Sequence, residues 1–153
     1  MTADLIKYPS TVHRMKRTSY TIREEARESL VLRLAGELEL EPAVGFAYLH
    51  GSLLDSPTVH DVDVGVYLRA SEVGRSAAIA SEFCAQLSAA VGMPVDVRVL
   101  NEAPLSFVYH VLRGRLLVCR DEDLLATMLE DVARRYLDLA PFLRQGTKDA
   151  FAA

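Results

Sequence analysis

Cysteine is scarce in this chain. Cys84 and Cys119 are the two present, far apart and without CxxC spacing or a histidine at ligand distance. That pattern argues against both a disulfide framework and a zinc site. A basic excess is missing too: 17 lysines and arginines face 21 aspartates and glutamates, for a formal net charge of −4. With no global electrostatic footprint for nucleic acid, no direct nucleic-acid binding is expected. No apolar run reaches the roughly eighteen residues of a membrane span. The opening Met1-Thr2-Ala3-Asp4-Leu5 carries neither the basic region nor the apolar stretch of a signal peptide. No membrane association and a cytoplasmic location are therefore expected. Internal repeats and low-complexity segments are absent as well.

What is present suits one folded unit. Half of the 153 residues are apolar, enough to bury one substantial core and short for two. Residues 1–19 hold Lys7, His13, Arg14, Lys16 and Arg17 without apolar rhythm and read as a solvated arm. The expected organisation is this arm, a single domain over 20–146, and a tail over 147–153.

Within the domain, Thr21 and Glu24 have capping-box spacing, and Ile22, Ala26, Leu30, Leu34 and Leu38 repeat at helical intervals, predicting a helix over about 22–40. Pro42 stops it. Val44–His50 is a short apolar and aromatic run ending at Gly51, as a buried strand entering a turn does. After the turn-rich Asp55-Ser56-Pro57-Thr58, residues 61–68 alternate, with Val62, Val64, Val66 and Leu68 on one face and Asp61, Asp63, Gly65 and Tyr67 on the other. A helix over 71–91 closes at Gly92, a residue suited to a helix C-terminus. Val95, Val97 and Val99 then alternate with Asp96 and Arg98 in a third strand. Pro104–Leu112 reads as a helix, Arg115–Cys119 as a strand, and Asp121 as the cap of a last helix over 121–145. Gly146 lies just past its end, and Pro141 kinks or shortens it. The fold class is α/β (α+β), a small sheet packed against helices with a C-terminal helix.

The aspartates carry the chemistry. Residues two apart in a strand point the same way, so Asp61 and Asp63 project together. If strand 95–99 lies alongside and also turns its valines inward, Asp96 joins them. Three carboxylates in one place raise each other's pKa unless cations compensate. Magnesium is commonly held by one or two carboxylates plus substrate phosphates, so the ligand set implies a polyphosphate partner. Aspartate is also depleted in strands, as expected where function overrides local preference. Gly51-Ser52, directly after the first strand, offers backbone amides, close approach and a hydroxyl to a phosphate. His50 and His60 flank the site in sequence and read as surface or capping residues without a catalytic role. Arg98 shares the Asp96 face, where it either steadies a nucleotide or neutralises an aspartate. Tyr67 reads as packing. The last helix carries an apolar stripe broad enough for both the core and a partner.

The combined pattern, Leu49-His50-Gly51-Ser52, eight residues, Asp61-Val62-Asp63, then Val95-Asp96-Val97, resembles the DNA polymerase β nucleotidyltransferase superfamily. The small size, with Gly114-Arg115-Leu116-Leu117 through Arg135-Tyr136-Leu137-Asp138, resembles the minimal nucleotidyltransferase (MNT) antitoxins that pair with HEPN ribonuclease toxins. The likeness covers about residues 30–143. It implies a DNA polymerase β-like fold with a small mixed sheet, and transfer of AMP from ATP to a hydroxyl, expected to be a tyrosine, on a cognate HEPN toxin. It further implies two magnesium ions, with Asp61 and Asp63 holding both and Asp96 the catalytic one, while Gly51 and Ser52 grip the β- and γ-phosphates. A homo- or hetero-oligomer is compatible with this reading. The spacing after Ser52 is shorter than the family's, and Leu53-Leu54 stand where an arginine is usual. Two alternatives follow: an antitoxin of this fold that binds without turnover, and a small-molecule nucleotidyltransferase of the aminoglycoside type.

Overall fold

In the computed structural model, residues 18–152 are described; the arm read over 1–19 lies almost wholly outside them. The chain runs β1 (Tyr20–Thr21), α1 (Glu24–Glu39), β2 (Val44–His50), α2 (Ser52–Asp55), β3 (Thr58–Val59) and β4 (Val62–Leu68). A 3₁₀ segment (Ala70–Arg75), α3 (Ser76–Val91), β5 (Val95–Val99), α4 (Leu105–Leu112), β6 (Arg115–Cys119) and α5 (Glu122–Ala152) follow. The main sheet has the order β5-β4-β2-β6, with β4 and β5 parallel and the other pairs antiparallel; β1 and β3 form a two-stranded ribbon. The parallel pair is joined through α3, because parallel neighbours need a crossover.

Both faces of the sheet are covered, and this places the site. The valines of β4 and β5 meet Leu34 and Leu38 of α1 and Ile79, Phe83 and Leu87 of α3 in the larger core. On the opposite face Phe46, Tyr48, Leu100, Val111 and Leu125 form a second core beneath α4 and α5. Every residue of β2 is buried, as a central strand between two helical layers requires. Each fully buried leucine or phenylalanine contributes roughly 1.5–3 kcal/mol. Tyr67 stacks on Phe46 at 4.9 Å and is packing, as read. The edge strand β5 is tied to α3: Val95 N donates to Ser88 Oγ (2.9 Å) and Val97 N to Cys84 Sγ (3.3 Å), blunting an otherwise unpaired edge.

Four local expectations are corrected. Thr21 does not cap α1; it pairs with Thr58 in the ribbon, and the helix starts at Glu24 with Arg23 as an N-cap lacking a side-chain bond. The 55–58 turn is resolved into the end of α2 and the start of β3, and 71–75 is 3₁₀ rather than α. The last helix passes through Pro141 and Gly146 to Ala152. It does so because 141–150 are exposed, so carbonyls that lose a partner to proline are met by water, while Thr147 Oγ1 donates to Leu143 O (3.0 Å) and Gln145 Nε2 to Asp149 Oδ1 (2.9 Å). Asp121 does cap it, accepting from Leu124 N at 2.9 Å. Among the described residues no helix is long and apolar enough to cross a membrane.

Candidate active site

The ends of β2, β4 and β5 lie side by side. In register, His50 faces Asp63 across the antiparallel pair and Asp63 faces Asp96 across the parallel one. Partners in register project to the same face, so His50, Asp63 and Asp96 form a row across three strands, with Asp61 just before β4. Asp63 is half-buried and Asp96 exposed. Burial first, then the carboxylates of Asp61 and Asp96, hold the Asp63 carboxyl above its ordinary value, more than Arg98 and His110 offset. Negative charge at Asp63 is thus under-compensated by the protein's own side chains, as a cation-binding carboxylate requires.

Gly51 closes the corner. Its φ is +81°, and a Cβ there would lie 2.3 Å from Asp63 Oδ2. Only glycine lets the turn into α2 sit against that carboxylate. Ser52, exposed at the start of α2, follows it. The loop is braced from behind by Arg27 of α1, whose Nη1 donates to Leu53 O and whose Nη2 donates to Ser56 O at 3.0 Å. The sequence pointed to no role for Arg27, because its partners are backbone carbonyls 26 and 29 residues away.

His50 departs from expectation. It is 7 % exposed, and its ring meets Phe107 at 5.7 Å and His110 at 5.9 Å, both edge-on. It is no surface cap: α4 folds over the end of β2 and encloses it. Burial, then the neighbouring His110, push its pKa down to about 4 against the pull of Asp96. It is neutral at pH 7, and among the described residues its Nε2 has no hydrogen-bond partner. The signal was its position at the end of a strand opposite Asp63, legible only once the register is known. His60 is exposed, with Nδ1 3.2 Å from Thr18 O. Arg98 Nε lies 3.3 Å from Asp96 Oδ2 and its guanidinium 5.6 Å from the Phe107 ring centre. Of the two roles read for it, the contact present is with the aspartate.

The donor set suits magnesium: hard carboxylate oxygens, too few for an all-protein cage, beside a turn able to admit phosphates. Among the described residues no group of three or more His, Cys, Asp and Glu side chains is arranged to hold a metal by itself.

The family model for polymerase beta nucleotidyltransferases matches residues 33–123, more than half of the chain. No curated protein matches the chain in sequence. Among solved structures, the chain is similar to one from tri-AMPylated Shewanella oneidensis HEPN toxin in complex with MNT antitoxin (18 % identity, 86 % of this chain and 100 % of that one, TM-score 0.57). It is also similar to a chain from a toxin-antitoxin structure with AMP-PNP (19 % identity, 86 % and 100 % covered, TM-score 0.58). A chain from a mutant MntA-HpeT toxin-antitoxin structure matches at 18 % identity, with 86 % and 100 % covered and a TM-score of 0.58. At these identities the likeness is one of fold.

Proposed function

The chain belongs to the polymerase beta nucleotidyltransferase family, and from that premise we propose that it is an antitoxin that transfers AMP from ATP to a tyrosine hydroxyl of a HEPN-type toxin. The observation that carries the reading is the alignment of Asp63 and Asp96 across β4 and β5, with Asp61 beside them and Gly51 against Asp63. The toxin and nucleotide parts draw support from the similar structures, one with a tri-AMPylated HEPN toxin and one with AMP-PNP.

Asp61 and Asp63 would hold two magnesium ions and Asp96 the one nearer the acceptor; when bound, they supply the charge that lowers the acceptor's pKa and neutralises pyrophosphate. The chain's own groups do the rest. The Gly51 and Ser52 amides and the Ser52 hydroxyl donate to the β- and γ-phosphates, fixing the triphosphate so that its α-phosphorus faces Asp96. The acceptor oxygen forms a bond to that phosphorus as the bridging bond to the β-phosphate breaks; pyrophosphate leaves with the electron pair, and Asp96 takes the hydroxyl proton. Positioning and electrostatics supply most of the acceleration. A second reading, inhibition by binding without turnover, is favoured by the Arg98 hold on Asp96 and by Leu53-Leu54.

The two are separated by Asp61→Asn/Asp63→Asn. With ATP labelled at the α-phosphate, label on the toxin should fall by more than about a hundredfold, beyond the 10–100-fold typical of losing outer-shell partners, while the complex still forms. Protection of cells from the toxin that survives this substitution unchanged would establish the binding-only reading instead.

A further inference from the structure

Beside the carboxylates lies a cleft of about 430 Å³, lined by His50, Gly51, Ser52, Asp55, His110 and Arg113 among others. One wall is the Gly51-Ser52 turn. The other is the C-terminal turn of α4, which carries His110 and leads into Arg113. Gly114 sets their separation: a Cβ there would lie 2.1 Å from Leu49 O, so glycine alone lets this turn press against the end of β2.

Arg113 lies over an aromatic pair. Its guanidinium carbon lies 5.8 Å from the Tyr109 ring centre, and Tyr109 stacks on Tyr136 of α5 at 3.7 Å with the planes 4° apart. Stacking orients the planar fork and lowers the entropy lost on binding. Among the described residues no carboxylate pairs with it. At the end of β2 His50 is more than nine-tenths buried, and among the described residues its Nε2 has no partner. Arg113, the exposed imidazole of His110 and the exposed Ser52 line the cleft with a single acid, Asp55. That lining suits an anion with several oxygens. Residues 53–60 contain no arginine or lysine to serve it.

We propose that this cleft receives the β- and γ-phosphates of the nucleotide, with Arg113 as the cation that grips them and His110 beside it, so that α4 confers selectivity for a triphosphate over a monophosphate. The proposal rests on the nucleotidyltransferase reading and names the residues that would hold the triphosphate.

Calorimetric titration with inorganic tripolyphosphate, ATP and AMP, each with magnesium, tests it without turnover. The wild type should bind tripolyphosphate and ATP. Arg113→Ala should weaken both by about tenfold or more, the scale of a charge-assisted bond, with AMP affinity and thermal unfolding unchanged. Arg113→Lys should restore part of the loss. Unaltered tripolyphosphate and ATP affinity in Arg113→Ala, or equal weakening of AMP, overturns the proposal and leaves the family reading standing. A wild type that binds neither ATP nor tripolyphosphate overturns both.

Discussion

Asp63 shows how a candidate site residue opposes the fold that holds it. Its carboxyl is held above its ordinary value of 3.8 by burial and by Asp61 and Asp96. A raised carboxylate favours the fold only when protonated, so its contribution is lost as pH rises through the folded value. Asp63→Asn should therefore raise the unfolding midpoint of the protein in chelator at pH 7, have no effect well below pH 3.8, and abolish transfer. Calorimetry checks this, and an unchanged or lower midpoint at pH 7 contradicts it. His50 has the opposite sign. The unfolded chain takes up a proton near pH 6.5 that the fold excludes down to about 4, so stability should fall as pH drops through that window and His50→Phe should flatten the fall. Gly51→Ala should cost about 1–3 kcal/mol for its backbone conformation alone, besides displacing the Asp63 carboxylate. At this scale the aspartates were legible because a period of two is visible in sequence. His50 was not, because its burial depends on α4 closing over β2.

Elements marked by apolar runs or alternation between turn residues were legible too. Val44–His50, Val95–Val99 and Arg115–Cys119 stand at the bounds expected. Where local chemistry competed with long-range pairing, the local signal lost: Thr21 suits a cap, yet its pairing with β3 moves the helix start to Glu24. The brace from Arg27 to the Ser52 loop was invisible for the same reason. In α5, Leu125, Val132 and Ala140 are buried, while Leu137 and Phe142 are 63 % and 74 % exposed. Ending the chain after Ala140 should shift thermal unfolding by no more than about 2 °C, whereas Leu125→Ala should cost about 2–5 kcal/mol. A large drop from the truncation would mean that the last turns support the core. If the exposed apolar residues instead serve the toxin, the same truncation weakens the complex without destabilising the chain.

For the whole molecule, two helical layers clamp the sheet and leave one end of its central strands open, and there the carboxylates, the glycine turn and the α4 cleft meet. Alternation predicted a sheet with one apolar and one polar face. The second core under α4 and α5 was hidden because Gly65, Tyr67 and Phe46 carry no periodic apolar signal; Gly65 serves instead by letting Val111 approach, where a Cβ would come within 2.5 Å of its Cγ1. The measurement that bears most directly on the account is the intact mass of a cognate HEPN toxin after incubation with this protein, ATP and magnesium. Gains of whole AMP units are expected, absent with Asp61→Asn/Asp63→Asn. A toxin of unchanged mass, recovered in a stable complex with the wild-type chain, would contradict that expectation.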